Sequence, residues 1–106
     1  MSRIVSMREV EQHMERDIEK YFTQQAKKHG ALAFKFVSPG NAGVPDRIVI
    51  RADGGIEFVE LKSPGETLRP LQLKMMDMLE AYGQTVTVID SKEKTDKYWR
   101  QRREAT

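Results

Sequence analysis

The sequence predicts an α/β fold in which a mixed β-sheet is flanked by helices, in the order α-β-β-β-α-β-α. Three observations predict it: an early stretch with helical periodicity, two short apolar runs joined by a glycine-rich turn, and a later alternation of helix-like and strand-like segments. A chain of 106 residues can bury one core, so residues 1–106 are expected to form a single domain. Its core is expected at about residues 7–96, followed by a basic tail at 97–106.

The first helix is predicted over residues 7–29. Apolar side chains recur there at every fourth position, which places them on one face of a helix. These residues are Val10, Met14, Ile18, Phe22 and Ala26. Gly30 follows, and glycine commonly ends a helix.

Three strands are predicted next. Residues 33–37 form the first strand, which ends at the turn residues 38–41. Residues 47–50 and 56–61 form the second and third strands, and the turn residues 53–55 between them are a strong hairpin signal.

The carboxyl-terminal part is predicted as helix, strand and helix. Pro70 begins a helix that runs to about Tyr82 and ends at Gly83. Residues 86–89 form the fourth strand, and the last helix begins at about Ser91. Apolar residues of the second helix are expected to pack in the core. They are Met75, Met76, Met78 and Leu79.

The composition limits the possible functions. There is no cysteine, which excludes disulfides, thiolate metal sites and a cysteine nucleophile. No apolar run is long enough to span a membrane, and the amino terminus lacks the apolar stretch of a signal peptide. The protein is therefore expected in the cytoplasm, including that of a cell that hosts a phage or mobile element. A net charge of +2 is compatible with a polyanionic partner.

The basic segment 97–103 has two interpretations. It mixes aromatic and basic residues, as DNA-contacting segments do. Alternatively, Tyr98 and Trp99 anchor the last helix while the arginines are solvated.

Charged residues lie at one end of the predicted hairpin. Glu60 and Lys62 flank Leu61, so they project from the same face of the strand. A three-residue loop at 53–55 would place Asp46 opposite Lys62, and the two carboxylates and the lysine would then converge. A loop of two or four residues would instead put Asp46 on the other face.

Two carboxylates at the ends of buried strands require a neutralising partner. A hard divalent cation such as Mg²⁺ or Mn²⁺ fits, because it prefers oxygen ligands, and the backbone carbonyl of Leu61 could supply another. Such a cation would polarise a phosphate and activate water, while Lys62 positioned or deprotonated that water or stabilised the transition state. The alternative is a surface salt bridge between Lys62 and one carboxylate, worth ~0–1 kcal/mol.

Four stretches, taken in their order along the chain, carry a resemblance to a known family that covers roughly residues 7–96. They are ERDIEKYF (15–22), FKFVSPGNAGVPDRIVI (34–50), FVELKSPGETLRPLQ (58–72) and YGQTVTVIDS (82–91). Together they resemble the PD-(D/E)xK nuclease superfamily, and specifically the VRR-NUC family of virus-type replication-repair nucleases. The resemblance implies a restriction-endonuclease-like fold and hydrolysis of DNA phosphodiesters that depends on Mg²⁺ or Mn²⁺.

The resemblance also implies roles for individual residues. Asp46 and Glu60 resemble the metal ligands of the family, with the Leu61 carbonyl beside them, and Lys62 resembles its catalytic lysine. The family's acidic residue on the first helix maps best to Glu15. Glu19, one turn further on, faces the same way and remains an alternative. Gln72 matches the family's glutamine beside the catalytic centre.

Short members of the family resemble Holliday-junction resolvases. We therefore expect a homodimer that nicks branched DNA, without a membrane partner or a small-molecule cofactor. Three alternatives remain open. They are a monomeric nuclease for flaps or single strands, a non-catalytic or accessory nucleic-acid-binding module that keeps the nuclease fold, and a subunit that is catalytic only when a larger repair or packaging machine presents the DNA.

Overall fold

The computed structural model describes residues 4–104 and confirms the predicted order of elements. The elements are α1 (Met7–Lys28), β1 (Leu32–Lys35), β2 (Arg47–Ile50), β3 (Ile56–Leu61), α2 (Pro70–Ala81), β4 (Val86–Ile89) and α3 (Lys92–Glu104). The predicted boundaries agree with the observed ones to within two residues, and those of β2, β3 and β4 agree fully. Within residues 4–104, no helix is both long and apolar enough to cross a membrane.

The four strands form one mixed sheet in the order β1-β2-β3-β4. The β1–β2 and β2–β3 pairs are antiparallel, whereas β3 and β4 are parallel and are connected through α2. Strand β1 ends at Lys35, two residues before the predicted end, and Val37 is 70% exposed. The sheet thus consists of a meander followed by one parallel crossover.

Helix α1 is capped at both ends by local contacts. The Ser6 hydroxyl accepts a hydrogen bond from the Glu9 N–H, and Gly30 takes a positive φ of 70° just after the helix. The predicted apolar stripe is buried only from Ile18 onward, and Met14 is 37% exposed. The amino-terminal turns of α1 therefore stand away from the core.

The core lies between the sheet and the helices α1 and α3, which pack against each other. The Phe22 ring lies 5.6 Å from each of the Tyr98 and Trp99 rings, which are 2% and 3% exposed. Tyr98 and Trp99 thus follow the anchoring interpretation of segment 97–103. Its expectation of solvated arginines is wrong for Arg102, which pairs with the buried Glu57. The core therefore extends beyond residue 96, because the last helix inserts its aromatic side chains.

Helix α2 contributes no fully buried residue, although all of it lies in the described part of the chain. The prediction that its methionines and Leu79 belong to the core is wrong, and Met78 is 45% exposed. The physical reason is that α2 packs mainly on β4, near one edge of the sheet, with no second helix over it.

The hairpin register differs by two residues from the predicted one. Ile50 pairs with Ile56 and Arg47 with Val59, which puts Asp46 opposite Glu60 rather than Lys62. A shift of two residues preserves the alternation of faces, so Asp46 still shares a face with Glu60.

The turn chemistry explains the shift. The loop consists of residues 52–54, because the Arg51 N–H bonds the Gly55 carbonyl and the Gly54 N–H bonds the Arg51 carbonyl. Gly54 adopts a φ of 91°, and the Asp53 carboxylate accepts the Gly55 N–H at 2.9 Å. This is a type I turn followed by a left-handed glycine, a common three-residue hairpin loop.

Candidate active site

Asp46, the residue just before β2, lies beside Glu60 on β3. The Asp46 carboxylate accepts the Leu61 N–H at 2.9 Å, and the Glu60 carboxyl hydrogen-bonds to Asp46. Glu60 is 4% exposed. Burial, followed by the hydrogen bond and the negative charge of Asp46, raises the pKa of Glu60 to about 9. In the metal-free protein, the pair therefore holds a proton at neutral pH.

Lys62 is buried beside this pair and is held by Glu66. The Lys62 Nζ lies 3.3 Å from one Glu66 carboxylate oxygen, while the other oxygen accepts the Ser63 hydroxyl at 2.6 Å. Hydrogen bonding from Ser63, together with the charge of Lys62, keeps the pKa of Glu66 below its ordinary value. The lysine thus has an ionised carboxylate partner.

Glu66 was not among the predicted site residues. Residues 63–66 form a tight turn that is closed by the Glu66 N–H and the Ser63 carbonyl, with Gly65 at a φ of 74°. Proline followed by glycine at the centre of S-P-G-E is the signature of a type II turn. That signal could have shown that the chain folds Glu66 back toward Lys62.

The two helix acids have different environments. Burial, followed by the negative charges of Glu66 and Asp46, raises the pKa of Glu15, so Glu15 lies within electrostatic reach of the cluster. Glu19 instead forms an ion pair with Arg47. Glu15 is therefore the helix acid that faces the cluster, and Glu19 is occupied by a structural contact.

Gln72 shares a cleft of about 510 Å³ with Asp46. Its side-chain oxygen accepts the Arg69 N–H at 2.9 Å, which fixes the amide at the start of α2. Gly43 lines the same cleft, and a Cβ atom there would lie 2.4 Å from the Leu71 carbonyl oxygen. The loop before Asp46 can therefore approach α2 only because residue 43 is glycine.

The carbonyl of Leu61 lacks its expected strand partner. The register that pairs Arg47 with Val59 continues to Pro45 opposite Leu61, at a position where an antiparallel ladder exchanges hydrogen bonds. Proline has no N–H to donate. The carbonyl oxygen is thus available to a ligand next to the two carboxylates.

These donors fit a hard divalent cation. Two carboxylates and a carbonyl are oxygen ligands, and Mg²⁺ and Mn²⁺ bind such sets while retaining several waters. Within residues 4–104, no three Asp, Glu or His side chains converge closely enough to form a complete cage. The raised pKa of Glu60 shows why a cation suits the site, since a positive charge would relieve the repulsion between buried carboxylates.

The family described as VRR-NUC domain matches residues 2–93 of the sequence. The chain belongs to the VRR-NUC family. A solved structure described as a VRR_NUC domain is similar, with a TM-score of 0.75 and 32% identity, over 79% of this chain and 91% of that chain. "Putative nuclease p44" of Acyrthosiphon pisum secondary endosymbiont phage 1 is 48% identical over 79 residues, which are 74% of this chain and 85% of that protein.

Membership of the VRR-NUC family confirms the predicted fold and makes the chain a nuclease domain, whose substrate is nucleic acid. In this VRR-NUC chain the structure brings Asp46, Glu60 and Lys62 together and places Glu15 within electrostatic reach. Gln72 reaches the group only through the cleft that it shares with Asp46.

The buried carboxyl gives the metal-free VRR-NUC protein a specific pH dependence. Glu60 releases its proton near pH 9 in the folded state but near its ordinary pKa of 4.5 when unfolded. Between these two pKa values the folded state binds one proton more than the unfolded state. The contribution of Glu60 to the free energy of unfolding therefore falls as pH rises. Urea unfolding in EDTA from pH 5 to 9 should show a steeper loss of stability for the wild type than for Glu60→Gln, which cannot ionise. Parallel curves would contradict the raised pKa.

Proposed function

We propose that this chain is a divalent-metal-dependent DNA endonuclease, served by Mg²⁺ or Mn²⁺, that acts as a homodimer on branched DNA. The observation that carries the proposal is the pair formed by the buried Glu60 and the half-buried Asp46, with the buried Lys62 beside it. A surface salt bridge leaves a lysine solvated, whereas this lysine is 2% exposed and fixed by Glu66. A buried carboxyl with a raised pKa, lying beside a second carboxylate and a buried lysine, is typical of catalytic centres.

Each residue has a defined task in this proposal. Asp46, Glu60 and the Leu61 carbonyl hold the cation, which when bound supplies Lewis-acid chemistry at the phosphate and lowers the pKa of water. Lys62 places its ammonium group where negative charge grows on the phosphate in the transition state. Glu66 orients that ammonium, and Glu15 adds a carboxylate from the helix side.

Substitution of the carboxylates should separate binding from catalysis. Asp46→Asn or Glu60→Gln should abolish both Mn²⁺ binding and cleavage, because each removes a ligand charge. Lys62→Ala should keep the metal but lose about 10²–10⁴-fold in turnover, since its contribution lies in the transition state. Calorimetry with Mn²⁺ and cleavage of labelled DNA, with and without EDTA, measure these effects.

Asp77→Asn, at an exposed position on α2, is the matched control and should behave as the wild type. Undiminished cleavage by the Asp46 or Glu60 variant would overturn the two-carboxylate site. A Lys62 variant that loses DNA affinity but keeps turnover at saturation would make this residue a phosphate anchor.

The helix acids can be distinguished with one matched pair of variants. Glu15→Gln should lower the cleavage rate about tenfold or more, because Glu15 faces the cluster and could hold a second cation or a water. Glu19→Gln should mainly lower stability, since Glu19 pairs with Arg47. The cleavage rates and urea midpoints of both variants distinguish the two residues. If both variants cleave DNA at the wild-type rate, neither helix acid takes part in the mechanism.

An apolar surface on the sheet supports the homodimer. The register aligns Leu32, Ile50 and Ile56 in one row across three strands, and Phe34 lies in the next row. Leu32, Phe34 and Ile56 are each more than half exposed. Contiguous exposed apolar residues mark interaction sites. We call these four residues the sheet patch.

The sheet patch lies on the same face as Asp46 and Glu60, because side chains alternate along β2 and β3. A second copy bound there would bring two cation sites into one assembly with two-fold symmetry. Two symmetric sites suit a four-way junction, where two strands must be cut. A net charge of only +2 also favours two protomers, whose combined phosphate contacts increase the affinity for DNA.

The assembly prediction combines mass and substrate choice. Light scattering at micromolar concentration should give about twice the chain mass of 12.2 kDa. Phe34→Asp should dissociate the dimer by burying a charge, whereas Tyr82→Asp, 80% exposed and outside the sheet patch, should not. Four-way DNA should be cut faster than linear duplex. The proposal would be contradicted if the wild type were a monomer and cut linear DNA, flaps or single strands as readily as junctions.

A further inference from the structure

A basic groove lies at the loop end of the β2–β3 hairpin, away from Asp46 and Glu60. It consists of two cavities of about 550 and 240 Å³ whose linings share His29, Trp99 and Arg103. We call these two cavities together the distal groove.

The distal groove carries a positive excess. Its described lining contains five Lys and Arg side chains, whereas three acids lie in it or directly behind it. The basic side chains are Lys28, Arg51, Arg100, Arg102 and Arg103, and the acids are Asp53, Asp96 and Glu57. The resulting excess of two charges equals the net charge of the whole chain, +2. The attraction for a polyanion is therefore concentrated at this end.

Glu57 gives the groove a rigid base. This carboxylate is 2% exposed and accepts Arg102 Nε at 2.9 Å and Arg102 Nη2 at 2.6 Å, and it also pairs with Arg51. Burial opposes its ionisation, but the hydrogen bonds and charge of Arg102 hold its pKa below the ordinary value. Both guanidinium groups are thus fixed before any ligand arrives, which lowers the entropy that binding would lose.

The aromatic wall of the groove favours phosphates over bases. The His29 ring stacks on Trp99 with centroids 5.2 Å apart and planes 11° apart, and its Nδ1 lies 2.8 Å from the Gln25 carbonyl oxygen. Trp99 is 3% exposed and is covered by His29, so the indole offers no broad face for a base to stack on. Recognition here would act on backbone charge and be independent of sequence.

We propose that the distal groove binds the phosphodiester backbone of a DNA arm at a distance from the cut. The inference rests on DNA as the substrate in the proposed function. Asp46 and Arg51, the last residue before the loop at 52–54, are five residues apart, about 17 Å at ~3.3 Å per residue. One DNA strand carries a phosphate about every 3.4 Å, so the groove meets DNA about five nucleotides from the catalytic end.

Binding in EDTA tests the groove without requiring metal or cleavage, so the result does not depend on whether the catalytic proposal holds. The double variant Lys28→Ala/Arg100→Ala removes two exposed charges from the groove. It should lower the slope of log affinity against log salt by up to about 1.8, at ~0.9 for each phosphate contact. Lys20→Ala/Lys74→Ala removes the same charge from exposed positions outside the groove and should leave the slope unchanged. Equal slopes for the two double variants would overturn the proposal.

Arm length provides a second, independent readout. Trp99 is the chain's one tryptophan, so intrinsic fluorescence reports on the groove. Junctions with arms of about twelve base pairs should change this fluorescence more than junctions with arms of about five, because only the longer arms extend past five nucleotides and cover the groove. An equal response to both arm lengths, or saturation of the response by millimolar inorganic phosphate, would reduce the groove to a simple anion site and refute backbone binding.

Discussion

The rest of the structure depends on the pairing of β2 with β3, because it forces two carboxylates together in a buried place. The register sets Asp46 against Glu60 and leaves Glu60 4% exposed. Two negative charges cannot both persist there without a counter-charge, so one carboxyl keeps its proton. The hairpin therefore produces a repulsion between carboxylates that charged groups on neighbouring elements, or a cation, can reduce.

The two helices that form the core also carry charged residues to the buried acids of the sheet. Helix α1 packs Phe22 against the aromatic residues of α3, and the same helix carries Glu15 to the charged cluster. Arg102 of α3 in turn neutralises Glu57 behind the sheet. Each face of the sheet thus contains one buried acid with its own charge partners, and the two acids serve different ends of the hairpin.

Much of this could be predicted from the sequence, because periodicity and turn residues report local structure directly. The element order followed from the spacing of Ile18, Phe22 and Ala26 and from the alternating strands. The register did not, since either Gly54 or Gly55 could take the left-handed position and only hydrogen bonding selects Gly54. Glu66 lies beyond the end of β3, so strand alternation could not place it beside Lys62; only the turn at residues 63–66 does. The burial of α2 was mispredicted because it depends on partners that periodicity does not specify.

Pro45 gives the site a property that its side chains alone would lack. An antiparallel neighbour at that position would normally cap the Leu61 carbonyl with an N–H. Any other amino acid at position 45 would have a backbone N–H. That N–H would compete with an incoming ligand for the Leu61 carbonyl oxygen. Pro45 has no N–H, while its fully buried ring still fills the space at this position. The gap in the strand ladder thus leaves this carbonyl oxygen open to a ligand, and the backbone rather than a side chain sets that property.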